Sequence, residues 1–223
     1  MRFDAVIFDL DGTLLDTLGD IAAAMNAVLA AHGHPAHPAA AYKHMIGDGV
    51  GMLVRRALPE GAREQARIAA LETEMRETYG RAYAVRTRPY EGIPDMLDAL
   101  AARGLALAVL SNKPDALTRA CVEALLPRWR FAAVVGEKAG VPPKPDPAGA
   151  RAIVAAVAAA PERVLYVGDS GVDMETAVAA GLFPAGALWG FRSRAELERG
   201  GARVLLARPA DVLPLVDTGP RPR

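Results

Sequence analysis

Residues 5–13 read Ala5-Val6-Ile7-Phe8-Asp9-Leu10-Asp11-Gly12-Thr13, and this stretch decides the fold. Four consecutive apolar residues suit a strand buried on both faces, as in a parallel sheet covered by helices. The run ends in two aspartates one residue apart. At a strand end, side chains at i and i+2 share a face, so both carboxylates point into one space. Such neighbours repel and persist beside a cation or with one of them protonated. Gly12 then permits a tight turn whose backbone N–H groups can cradle an anion.

Working outward, three more apolar runs precede polar clusters: Leu105–Leu110 before Ser111-Asn112-Lys113, Ala132–Val135 before a Pro-rich loop with Lys144-Pro145-Asp146-Pro147, and Val164–Val167 before Gly168-Asp169-Ser170 and Asp173. Helical patterns separate them, and two further strands are predicted at Pro184–Leu188 and Ala202–Leu206. The alternation implies an α/β fold with a Rossmann-like parallel sheet core. Every polar cluster follows the carboxyl end of a strand, the edge where open α/β sheets bind ligands.

Between the first two strands the pattern is helical: Leu18–Ala31, Tyr42–Ile46, Val50–Leu58 and Arg63–Tyr83. Residues 17–87 therefore form a small inserted helical cap, on linkers near Asp16–Thr17 and Thr87–Pro89, and residues 1–16 and 88–223 form the core. Helix 93–103 returns the chain to the sheet and ends at Gly104. Shorter helices are expected at Arg194–Arg199 and Ala210–Val216, and disorder at Thr218–Arg223.

The 223 residues carry 26 basic and 26 acidic side chains, so no global field draws in nucleic acid or anionic lipid. With 52% hydrophobic residues a packed core is within reach. The apolar N-terminal run is too short for a signal peptide, and no later run reaches the roughly 20 residues of a membrane span. Cys121, the single cysteine, permits no internal disulfide. These features describe a soluble cytoplasmic protein, monomer or homodimer, with no nucleic-acid or membrane partner.

The motifs suggest phosphoryl transfer. A carboxylate that attacks phosphorus forms an acyl phosphate and divides one hard displacement into two easier steps. The second carboxylate is placed to protonate the leaving oxygen and then to activate water. Ser111 offers a hydroxyl to a phosphate oxygen and Asn112 a backbone N–H. Lys144, one of four lysines, supplies a point charge beside the phosphoryl group. Asp169 and Asp173, four residues apart at a strand-to-helix turn, can face one hard cation such as Mg²⁺. Taken singly, each cluster is also an ordinary turn or helix cap.

Asp9-Leu10-Asp11-Gly12-Thr13-Leu14-Leu15-Asp16 resembles the first motif of the haloacid dehalogenase superfamily, and Ser111, Lys144 and Asp169 with Asp173 follow in that family's order. The resemblance implies Asp9 as nucleophile and Asp11 as acid and base. It further implies Mg²⁺ held by Asp9, the Asp11 carbonyl and Asp169, with Asp173 in the outer shell. An aspartate at position 11 separates phosphatases and mutases from dehalogenases, whose halide needs no proton.

The insert is similar to that of the phosphoglycolate phosphatase group in Ile46-Gly47-Asp48-Gly49 and Arg55-Arg56-Ala57-Leu58-Pro59. So are Pro89-Tyr90-Glu91-Gly92 and Leu188-Trp189-Gly190-Phe191-Arg192, although Glu91 stands where that group favours proline. The resemblance implies a small phosphorylated metabolite, 2-phosphoglycolate first. Gly47 and Gly49 let the cap backbone come close to it, and Arg55 or Arg56 either pairs with its carboxylate or stands as a solvated arginine on a helix face. Competing readings are a sugar-phosphate or pyrophosphate phosphatase, a mutase of the β-phosphoglucomutase kind, and a catalytically silent binding protein. The last would have lost a motif residue, and none is missing. His32, His34, His37 and His44 lack the spacing and cysteines of a zinc site. The surroundings of Lys43 do not resemble those of a Schiff-base lysine.

Overall fold

A computed structural model of the chain describes residues 3–217; the tail expected to be disordered lies outside them. Six parallel strands form the main sheet: β1 (Ala5–Phe8), β4 (Ala106–Pro114), β5 (Ala133–Glu137), β6 (Val164–Gly168), β7 (Phe183–Ala187) and β8 (Val204–Leu206). Their order is β5-β4-β1-β6-β7-β8. The first strand to form in sequence thus occupies the middle. Ala5 to Phe8 pair with Ala106 to Val109 on one side and with Val164 to Val167 on the other.

The pleat divides each strand between two cores. Val6 and Phe8 pack with Val109 and Val167 against helices α4 (Ile93–Ala102) and α5 (Asp115–Leu125). Ala5 and Ile7 pack with Leu110 and Tyr166 against α6 (Ala148–Ala156) and α7 (Gly171–Ala180). Burial on both faces explains why these runs are continuously apolar. It also leaves the carboxyl edge as the place where polar side chains gather.

The helical insert carries α1 (Leu18–Ala31), α2 (Val50–Ala57) and α3 (Gln65–Gly80), which pack around a third core of Met25, Leu29, Leu53, Val54, Leu71 and Met75. Of Tyr42–Ile46, expected to be helical, Tyr42–His44 end a 3-10 turn at Ala39–His44, and Met45 and Ile46 lie beyond it. Pro38 opens it and the segment is too short to recover the cost of nucleating an α-helix.

The two linkers are paired. Leu15–Asp16 (β2) and Arg88–Pro89 (β3) form a short antiparallel ladder at the neck of the insert. Asp20, on the first turn of α1, reinforces it: its buried carboxylate accepts the backbone N–H of Arg86 at 2.9 Å, and the N–H and hydroxyl of Thr87 at 2.9 and 2.8 Å. Burial alone would raise the Asp20 carboxyl, but these bonds prevail and hold it below the usual carboxylate range. Helices α8 (Arg194–Arg199) and α9 (Val212–Asp217) complete the described chain.

Candidate active site

Asp9 leaves β1 at the centre of the sheet edge, and its buried carboxylate meets Lys144 Nζ at 3.0 Å. The same ammonium group donates to Asp173 Oδ1 at 2.6 Å and to the Leu110 carbonyl at 3.2 Å. Lys144 is therefore a crosslink between β1, β4 and α7 as well as a charge. Burial opposes its charge, but Asp173 and Asp9 outweigh that and hold its pKa well above the ordinary lysine value.

Asp173 caps α7. Its Oδ2 accepts the N–H and the hydroxyl of Ser170 at 3.1 and 2.6 Å, while the Ser170 hydroxyl accepts the Asp173 N–H at 3.3 Å. This is a reciprocal capping box. Tyr166 donates to Asp173 Oδ1 at 3.2 Å. Asp169 is held from another side, accepting the Thr13 hydroxyl at 2.9 Å and the Phe191 N–H at 2.7 Å. Trp189 fixes that loop by donating to the Thr13 carbonyl at 2.9 Å.

Gly12 and Gly190 make this convergence possible. A Cβ on Gly12, whose φ is +87°, would stand 2.4 Å from Asp169 Oδ2. One on Gly190 would meet Asp169 Cβ at 2.3 Å and the Gly12 carbonyl at 2.4 Å. Backbone approaches of this closeness admit no side chain.

Asp9, Asp169 and Asp173 bring carboxylate oxygens within 4.8 Å of one another, and all three are buried. Burial, then the charge of Asp173, with a further contribution from Asp11, push the Asp9 carboxyl up to about 7 against the pull of Lys144. Burial and the charges of Asp173 and Asp9 likewise raise Asp169 well above its ordinary value, against its bonds from Phe191 and Thr13. A hard cation would relieve that repulsion, and an all-oxygen donor set suits Mg²⁺. Since four donors already engage Asp173, the carboxylates of Asp9 and Asp169 are better suited to meet the ion. The residues present fit the group.

Asp11 faces a different partner. Lys113 Nζ lies 2.8 and 3.1 Å from its two carboxylate oxygens and donates to the hydroxyl of Tyr79, on α3, at 2.8 Å. Lys113 is buried; desolvation disfavours its charge, but Asp11 prevails and raises its pKa. Neither Lys113 nor Tyr79 stood out as a site residue in the sequence. Proximity of Lys113 to Ser111 was the available signal for the first; no local pattern marked Tyr79.

Ser111 and Asn112 sit beside these groups on β4. The Asn112 amide is occupied structurally: it donates to the carbonyls of Gly47 at 3.1 Å and Lys144 at 3.0 Å, and accepts the Lys144 N–H at 2.8 Å. It thereby ties the insert to both motifs. Asp9, Asp11, Ser111, Asn112 and Lys113 form the floor of a cleft, and Gly47 and Gly49 line its other side. Arg55 is exposed on α2 and does not line the cleft, whereas Arg76 of α3 does. Arg56 pairs with Asp48 at 2.5 Å.

The haloacid dehalogenase-like hydrolase family model matches residues 6–187. Phosphoglycolate phosphatase 1 of Pseudomonas aeruginosa is 32% identical over 217 residues, covering 95% of this chain and 79% of the relative. N-acetylmuramic acid 6-phosphate phosphatase of the same organism is 31% identical, covering 97% and 96%. A crystal structure from Lactobacillus delbrueckii subsp. bulgaricus superposes with a TM-score of 0.92 at 29% identity, covering 98% of this chain and all of the other.

Proposed function

This chain belongs to the haloacid dehalogenase-like hydrolase family, and from that premise we propose that it removes phosphate from a small phosphomonoester, foremost 2-phosphoglycolate, with Mg²⁺ as cofactor. The observation that carries the reading is the pair of carboxylates at the end of β1. Asp9 faces the cluster of Lys144, Asp169 and Asp173, and Asp11 faces the cleft.

In this mechanism Asp9 attacks phosphorus in line with the departing ester oxygen and becomes an aspartyl phosphate. Asp11 gives the leaving oxygen its proton, then takes one from the water that releases phosphate and regenerates Asp9. Ser111 and the Asn112 N–H bind phosphoryl oxygens, and Lys144 offsets their charge. Mg²⁺, held by Asp9, Asp169 and the Asp11 carbonyl, would supply charge neutralisation and in-line orientation. Asp173 orients Lys144 and caps α7. We read residues 17–87 as a cap over a core of 1–16 and 88–223, excluding water from the cleft when closed.

A second reading, a sugar phosphate as substrate, is supported by the 31% identity to N-acetylmuramic acid 6-phosphate phosphatase over nearly the whole of both chains. Phosphate release from a panel of small phosphomonoesters with Mg²⁺ tests both. We expect turnover that chelator abolishes and that Asp9→Asn lowers by at least about 10³-fold without unfolding the chain. A purified Asp9→Asn protein at near wild-type rate would refute the nucleophile; equal kcat/KM across the panel would refute the 2-phosphoglycolate preference alone.

A further inference from the structure

The cap side of the cleft is lined by Ile21, Ile46, Val50, Leu53 and Met75, with Leu117 of α5 beside them. A leaving group that carries a negative charge must find its counter-charge elsewhere. Two cationic side chains line the cleft among the described residues, Arg76 and Lys113. Arg76 is already neutralised by two carboxylates, Glu72 at 2.6 Å and Glu137 at 3.3 Å. Lys113 has one carboxylate partner, Asp11, and otherwise meets the neutral hydroxyl of Tyr79.

Its position matters as much as its charge. Resting on the reading of Asp11 as the group that serves the leaving oxygen, that oxygen must come within a hydrogen bond of Asp11, about 2.7 Å. Lys113 Nζ lies 2.8 Å from the same carboxylate. In an O–CH₂–COO⁻ leaving group the carboxylate carbon is two bonds beyond the ester oxygen, which brings its oxygens within reach of the ammonium group. The low-polarity wall opposite strengthens such a pairing relative to water.

We propose that Lys113 is a specificity-determining residue that pairs with a carboxylate on the leaving group, next to the ester oxygen. The carboxylate joins or replaces Asp11 as the partner of Lys113, so one lysine links recognition of the leaving group to the side chain that protonates it. Tyr79 holds the ammonium group from the cap side.

The test compares 2-phosphoglycolate with ethyl phosphate, which has the same ester chain but a methyl group in place of the carboxylate. The wild-type chain should prefer 2-phosphoglycolate by about tenfold to a hundredfold in kcat/KM, the worth of one charge-assisted contact. Lys113→Met should bring that ratio toward one, and Lys113→Arg should retain more of it. Any effect of these variants exerted through Asp11 lowers both substrates together and cancels in the ratio. A wild-type ratio near one overturns the inference without need of a variant, and so does a Lys113→Met ratio equal to wild type. Turnover without discrimination sinks this inference alone; failure to hydrolyse any ester sinks the phosphatase reading along with it.

Discussion

The two walls of the cleft are built by different physics. On the core side, Asp9 and Asp169 stand at the ends of parallel strands, Ser111 lies within β4 and Asp173 in the first turn of α7, all held by hydrogen bonds of 2.6 to 3.3 Å. On the cap side, Ile21, Leu53 and Met75 come from three helices positioned by hydrophobic packing. A strand end held by its neighbours fixes charged groups with little freedom, which suits chemistry that depends on orientation. A wall of packed apolar side chains tolerates exchange while total volume is kept, which suits a surface that selects among leaving groups.

Lys144→Met should break the core wall most severely. It leaves the Asp9 and Asp173 carboxylates without their buried counter-charge, a loss of about 3–5 kcal/mol. A fall in melting temperature on the order of 10 °C is expected for a chain of this size, with activity lost. A melting curve within 2 °C of wild type would mean that the crosslink carries little stability.

Gly190→Ala should damage the same wall more locally. The new Cβ would collide with Asp169 and the Gly12 carbonyl, so one of them must move. Mg²⁺ affinity should fall about 10- to 100-fold, as when groups that orient a metal ligand are lost. Titration of Mg²⁺-dependent turnover, beside a melting curve, measures it; unchanged Mg²⁺ dependence would show that the loop relaxes at no cost.

Asp20→Asn probes the neck between the walls. The buried carboxylate accepts several donors, and its replacement should cost about 1.5–3 kcal/mol at neutral pH. Because the folded state holds the Asp20 carboxyl below its unfolded value, its contribution is present above about pH 4 and fades as pH falls through the lower, folded value. Thermal melts from pH 7 to pH 3 should therefore show the gap between wild type and variant closing in acid. A gap constant down to pH 3 would locate the effect in packing instead.

The smallest effect is expected at Arg55→Ala. The side chain is exposed and outside the cleft, so stability and kcat/KM should both stay within about 0.5 kcal/mol of wild type. A tenfold rise in KM for 2-phosphoglycolate would mean that Arg55 swings into the cleft when substrate binds.

How legible these regions were differs for the same physical reason. β1 was readable because a strand buried on both faces must be continuously apolar, and Leu18–Ala31 because its helical pattern is long. Placement of Asp9, Asp11, Lys144 and Asp169 at one edge followed from four polar clusters after four apolar runs. Boundaries slipped where that logic weakens: β4 continues through Ser111 to Pro114, past the end of the apolar run. The ladder of β2 with β3 was missed because two-residue strands have no periodicity to detect.

By itself the sequence determined the α/β order of elements, the helical insertion after the first strand, and the residue types that carry charge at the sheet edge. All of these follow from local periodicity and from the chemistry of each side chain. Tertiary structure alone decided who meets whom: that Lys113 joins Asp11 to Tyr79, that Thr13 and the Phe191 N–H hold Asp169, and that Arg76 rather than Arg55 lines the cleft. The bond from Lys113 to Asp11 spans 102 positions and that from Thr13 to Asp169 spans 156. Contacts between such distant residues depend on how the sheet and the insert pack, and no short stretch of sequence contains that geometry.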